Sequence, residues 1–227
     1  MIKPSPKMPA RPVPPAEATR ATLILSALKL FGRNGFDGTS TRQIAADAGA
    51  NIGSIAYHFG GKEGLRIAAA DYIVETIQAV ATQALGEMDE QTDTPQVAHE
   101  KLFATLERMV TFIVASPEAG EIVQFVLREL SSPSPALDRI YDGVFEPTHR
   151  RLCLLWEQAT GEAAESEATR LTVFTLIGQV VYFRIGREAV LRRMGWSGIG
   201  EVEAAKVAAV TANNLGVILA ARKGEGA

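Results

Sequence analysis

Cysteine is nearly absent: the 227 residues contain one, Cys153. A single thiol excludes an intramolecular disulfide, so a reducing compartment suits the chain. Cys153 lies in Arg-Leu-Cys-Leu-Leu-Trp, where apolar neighbours predict a buried small side chain and not a reactive thiol. Histidine is scarce as well. His58, His99 and His149 share no metal-ligand spacing, and neither a metal nor a cofactor is expected. Aromatic residues make up only 7% of the chain. Runs of β-branched residues are rare beside abundant Ala and Leu, which favours an all-α protein. No nucleophile with a base and no phosphate loop is present; Gly60-Gly61 reads as a helix break, so an enzyme is not expected. Between Arg170 and Arg184 thirteen residues carry no charge. A bilayer span needs about twenty, so a buried helix is expected there, and no membrane partner.

What is present begins with charge. The net charge of −3 hides an asymmetry. Residues 1–65 hold eight Lys/Arg against four Asp/Glu, and residues 66–227 hold 15 against 22. A basic head on an acidic body suits a domain that meets nucleic acid and a body that does not. The 47% apolar fraction is enough for a real core. The first fifteen residues contain six prolines, three basic residues and no apolar segment, so no secretory leader is read there. Residues 1–16 are expected to be a disordered arm. It is either a solvated tail or one that adds phosphate or minor-groove contacts.

The chain is organised around Thr39 to Lys62. Thr39 or Ser40 can cap a short helix whose apolar side is Ile44, Ala45 and Ala48; Gly49 ends it. Asn51 is expected to cap a second short helix with Ile52, Ile55, Ala56 and Phe59 on its apolar side. Gly60-Gly61 ends that one before Lys62 opens a third. Helices of about seven or eight residues are too short to be stable alone. Two of them around a glycine turn make a helix-turn-helix, which reads the DNA major groove. Asn51, Gly53 and Ser54 then lie at the start of the reading helix, closest to the bases. Thr39, Ser40, Thr41, Arg42, Tyr57, His58 and Lys62 complete the expected DNA contacts, mainly to phosphates.

The string Gly-Phe-Asp-Gly-Thr-Ser-Thr-Arg-Gln-Ile-Ala-Ala-Asp-Ala-Gly, then Tyr-His-Phe-Gly-Gly-Lys-Glu-Gly-Leu, resembles the TetR family of transcriptional regulators from about Ala18 to Ala70. Two positions depart from the family's commonest pattern. Ile52 stands where many members have lysine, and Ala56 where many have an aromatic residue, so the operator preference does not carry over. Asn51-Ile52 with Ile-Ala-Tyr-His-Phe-Gly-Gly-Lys is closer to the subgroup with a CerR- or CecR-type C-terminal domain. Gly-Gln-Val-Val-Tyr-Phe-Arg-Ile-Gly-Arg-Glu-Ala-Val-Leu-Arg-Arg-Met-Gly-Trp and Phe-Val-Leu-Arg-Glu-Leu-Ser-Ser-Pro-Ser-Pro-Ala extend that resemblance over most of residues 95–220.

About nine helices are expected: 17–34, the two short ones, 62–86, 95–115, 117–131, 135–160 with a kink at Pro147, 166–194 and 201–222. The domains read as a helix-turn-helix head over 17–62, a ligand-binding and dimerisation bundle over 63–222, and a tail over 223–227. The resemblance implies a cytoplasmic homodimer on a pseudo-palindromic DNA operator, most simply a repressor released by a small-molecule effector. A constitutive DNA-binding protein without an effector stays open, as does a helical dimer whose head binds a protein. Gln179, Tyr182, Arg184 and Arg187 are the candidate effector contacts, with Glu129 the expected charge partner of an arginine among them. A structural ion pair or a subunit contact is the competing reading for these groups. Val180, Ala205, Ala208 and Ala212 are the candidate dimer contacts, on the apolar and small-residue faces of the last two helices.

Overall fold

The computed structural model describes residues 15–85 and 94–223. Of the arm expected over 1–16, residues 1–14 lie outside the described residues, as do the loop at 86–93 and the last four residues; residues 15 and 16 belong to the first helix, which corrects the arm's expected end. Every regular element described is helical: α1 (Pro15–Asn34), α2 (Thr41–Asp47), α3 (Gly53–Phe59), α4 (Lys62–Leu85), α5 (Pro95–Val110), α6 (Pro117–Ser131), α7 (Pro135–Ile140), α8 (Glu146–Thr160), α9 (Glu167–Ile185), α10 (Arg187–Met194) and α11 (Glu201–Lys223). Thr94 and Ser134 cap their helices through side-chain oxygens ahead of a proline in the first turn.

Two of the expected helices are divided. The one over 135–160 becomes α7, a wide turn over Tyr141–Phe145 with π-type pairing, and α8. Pro147 lies in the first turn of α8, where its missing N–H leaves no gap. Four residues earlier, the Gly143 carbonyl lacks the partner a regular helix would supply. It accepts instead from Gln78 Nε2 of α4, at 3.0 Å. A Cβ on Gly143 would stand 2.6 Å from Val74 Cγ1, so only glycine lets α4 come this close. The kink expected at Pro147 is thus placed one turn upstream. The helix expected over 166–194 divides at Gly186, whose N–H closes α9 on the Tyr182 carbonyl at 2.7 Å.

The helices build two apolar cores. The first joins Leu23, Leu28 and Phe31 of α1, Ile44 of α2, Ile55 of α3 and Leu65 and Ile73 of α4 to Ile122 and Phe125 of α6, Ile140 of α7 and Val144. The second lies among α5, α8, α9 and α11, around Trp156, Leu155, Leu106, Val173, Val180 and Leu215. The indole N–H of Trp156 donates to Glu162 Oε2 at 2.8 Å, so its burial leaves no orphan donor. The boundary expected at 62–63 is therefore no break in packing. The head shares one core with α6 and α7, and α4 runs out of that core.

Candidate nucleic-acid interface

The short helices are held by local chemistry. Ser40 accepts the Gln43 N–H through Oγ at 3.2 Å, while Gln43 Oε1 accepts the Ser40 N–H at 2.7 Å. This reciprocal pair satisfies two donors at the start of α2. Gly49 and Gly60 end α2 and α3 at φ +63° and +71°, a region costly for any side chain with a Cβ. Lys29 of α1 pairs with Asp47 at the end of α2 at 2.6 Å.

Thr39 is 2% exposed, and its hydroxyl donates to the Gly35 carbonyl at 2.8 Å beside that of Leu30 at 3.1 Å. It locks the turn after α1 and does not face outward, which corrects its expected place among the DNA contacts. Asn51 does not cap α3 from the N-cap position; that place is taken by Ile52. Its Oδ1 instead accepts the Gly53 N–H at 2.8 Å, a turn that satisfies the first donor of the helix.

Arg42, Asn51, Ile52, Gly53, Ala56 and Tyr57 are exposed, and Thr41, Ser54, His58 and Lys62 are half-buried. Ile55 points the other way, into the first core. Lys62 Nζ stands 4.1 Å from the centre of the Phe36 ring, and the Arg66 guanidinium 4.5 Å from it. Phe36 is thus a cation platform between α1 and the start of α4. Arg20 of α1 lies 5.5 Å from the Phe59 ring, which sets an exposed cation beside the end of α3. The sequence reading missed Arg20, Arg66 and the role of Phe36. Arg20 and Phe59 are 39 positions apart, so no local signal joins them.

In the body, both oxygens of Glu129 are taken by Arg66, and Ser134 Oγ donates to Oε2 at 2.6 Å. This corrects the partner expected for Glu129: it is an arginine of α4, not of α9 or α10. Arg184 Nε donates to the Ile113 carbonyl at 2.6 Å and Nη2 to that of Ser116, at the end of a second turn with π-type pairing, Thr111–Ala115, that follows α5. Burial, then nearby Arg187, pulls the Arg184 pKa below its usual value. Gln179 Oε1 accepts from Asn214 Nδ2 of α11 at 2.9 Å, and Tyr182 is exposed. Glu129, Arg184 and Gln179 are thus engaged by three different partners and not by one another. An apolar cavity of about 30 Å³ lies elsewhere, lined by residues including Leu102, Met109, Leu152, Val173, Ile177 and Leu215.

Val180 is fully buried in the second core and cannot reach a partner, which corrects its place among the interface candidates. Ala205 is exposed, and Ala208 and Ala212 are partly so. The outward face of α9 carries Leu171, Phe174, Tyr182 and Ile185, and that of α11 carries Val202, Val210 and Val217. These are large apolar side chains left in water on one side of each helix.

Residues 23–69 match the bacterial regulatory proteins of the tetR family, and residues 98–222 match the C-terminal domain of the HTH-type transcriptional dual regulator CecR. The CecR regulator of Shigella flexneri is 33% identical over 188 residues, covering 82% of this chain and 84% of that one. The regulatory protein RaaS of Mycobacterium tuberculosis is 37% identical over 95 residues, 42% of this chain and 43% of that one. Among solved structures, AibR in complex with isovaleryl coenzyme A and operator DNA superposes with a TM-score of 0.63 at 15% identity, covering 86% of this chain and 96% of that one. A member of the TetR transcriptional regulator family from Streptomyces coelicolor A3 gives 0.59 at 22% identity, covering 85% and 88%. Those two likenesses concern the fold. The two family matches, together with the similarity to CecR along most of both chains, place the protein in the TetR family, with a CecR-type C-terminal domain, as a DNA-binding transcriptional regulator.

Proposed function

We propose that the chain acts as a homodimer that lays α3 of each subunit into the major groove and represses transcription from a pseudo-palindromic operator until a small molecule releases it. One observation carries the reading. The outward front of α3 is small and exposed at Gly53 and Ala56, and cations flank it at Arg20, Arg42 and Lys62. Small residues let the backbone approach the bases, and the cations hold the phosphates that set register. Ser40 and Thr41 at the start of α2, with Asn51, Ser54, Tyr57 and His58, complete the proposed contact set.

The exposed apolar stripes of α9 and α11 are the proposed subunit contact. A two-fold dimer on DNA spaces its half-sites about one helical turn apart. Such a regulator works beside the chromosome, in the cytoplasm. The proposed effector is small and apolar, in keeping with the aliphatic lining among α5, α8, α9 and α11, and the space of about 30 Å³ there must widen to admit it. The polar groups expected to hold it are engaged with the protein at Gln179, Arg184 and Glu129.

The test is fluorescence anisotropy with the tightest duplex from a random-sequence pool, titrated at rising salt. Affinity should exceed that for unrelated duplex by about 10³ or more and fall steeply with salt as counterions are released. A preference below about tenfold would remove the sequence-specific reading. A thermal-shift screen of apolar small molecules then finds the effector, because a ligand that binds only the folded state raises stability by mass action. Binders that leave DNA affinity unchanged would leave a constitutive DNA-binding dimer.

A further inference from the structure

Ile52 is aliphatic yet 49% exposed, at the start of a helix whose Ile55 is sunk in the core. One turn on, Ala56 is also exposed, and Gly53 lies beside them. None of these three side chains can hydrogen-bond a base edge. Of the polar neighbours, Ser54 is half-buried, and Asn51 has its Oδ1 occupied by the Gly53 N–H at 2.8 Å, so its NH₂ is the end left to donate. At positions 52, 53 and 56 the front of α3 therefore offers carbon and no donor or acceptor side chain, beside the polar Asn51, Ser54 and Tyr57. In the major groove the apolar counterpart of such a surface is the 5-methyl group of thymine.

We propose that Ile52 is a specificity-determining residue that packs against thymine 5-methyl groups, with Gly53 and Ala56 leaving the room for that approach. The proposal rests on the placement of α3 in the major groove. It gives the position a different kind of work from a lysine, whose ammonium meets a phosphate or a guanine edge. The operator preference of this chain is then set by thymines opposite position 52, through a contact that salt does not screen.

The probe is the tightest duplex selected from a random-sequence pool by the wild-type chain. Each thymine of its half-sites is replaced in turn by deoxyuridine, which lacks only the methyl group. Wild type should lose about fourfold in affinity per methyl removed, and about fifteenfold when both half-sites are changed together. Ile52→Ala should bind the unmodified duplex more weakly by a similar factor and be indifferent to deoxyuridine at the same positions. Ile52→Val, which keeps two methyl groups, should retain most of the sensitivity, and it serves if the alanine variant does not fold. The proposal is overturned if deoxyuridine at every position leaves wild-type affinity unchanged, or if the variants stay as sensitive as wild type with Ile52→Ala binding undiminished. Failure to enrich any duplex would instead overturn the placement of α3 in the groove, and the proposal with it.

Discussion

Arg66 and Glu129 meet at two points, Nε to Oε1 at 2.8 Å and Nη2 to Oε2 at 3.0 Å, across 63 positions of sequence. Glu129 sits near the end of α6 and is 2% exposed; Arg66 lies in the second turn of α4. The same guanidinium lies over Phe36, which also receives Lys62. One buried pair thus joins the turn between α6 and α7 to the start of α4 and to the loop before the helix-turn-helix. On the other side of that loop, Arg128 of α6 donates to the carbonyls of Gly32 at 3.3 Å and Arg33 at 3.1 Å, at the end of α1. A shift of α6 would reach the head through both contacts.

Arg66→Ala should strand the Glu129 carboxylate in the core and destabilise the chain by about 3–5 kcal/mol, the usual effect of breaking a buried pair. Arg66→Lys should recover only part of this, since an ammonium cannot hold both oxygens in the fork geometry. Urea unfolding checks it. A loss below about 1 kcal/mol in the alanine variant would show that water or another cation replaces the guanidinium.

Phe174→Asp on α9 and Val210→Asp on α11 put a charge on exposed apolar faces. Each should shift the chain from dimer to monomer in sedimentation while the thermal midpoint of the monomer barely moves. Val180→Asp should behave differently, because Val180 is fully buried. An unpaired charge there costs several kcal/mol and unfolds the second core. A Phe174→Asp, Val210→Asp double variant that sediments as wild type would remove this face from the interface.

Lys62→Ala should weaken binding to all duplexes by about the same factor and lower the salt slope by about one per subunit, as loss of one phosphate contact does. Anisotropy titrations on selected and random duplexes at several salt concentrations measure both quantities. Loss confined to the selected duplex would make Lys62 a base reader.

The Asp47 carboxyl is held below its usual 3.8, first by the hydrogen bond from Lys29 and then by that from Ser26. A carboxylate whose pKa is lowered on folding adds stability above its unfolded pKa and loses it as pH falls through the folded value. The thermal midpoint of Asp47→Asn should therefore lie below that of wild type at neutral pH. The gap should close as pH falls below the usual carboxylate range and through the lowered folded value. A gap that is constant over that range would assign the effect of the substitution to something other than the ion pair with Lys29.

Sequence alone determined what depends on neighbours within a turn or so. The cap at Ser40, the glycine stops at Gly49 and Gly60, and the Ser/Thr-Pro starts at residues 94, 116 and 134 are local hydrogen-bond and dihedral chemistry. They place the helix ends, and with them the helix-turn-helix. The wide turn before Pro147 was half legible: proline forbids a regular ladder, but only the approach of α4 decides that Gln78 takes the freed carbonyl. The direction each side chain of α9 and α11 faces was not legible. Both helices are apolar or small on nearly every side, so periodicity cannot tell Val180, sunk in the core, from Phe174, left in water. Tertiary packing alone decided that, as it decided the partner of Glu129. A buried charge takes the guanidinium that packing brings to it, and here that guanidinium is on α4.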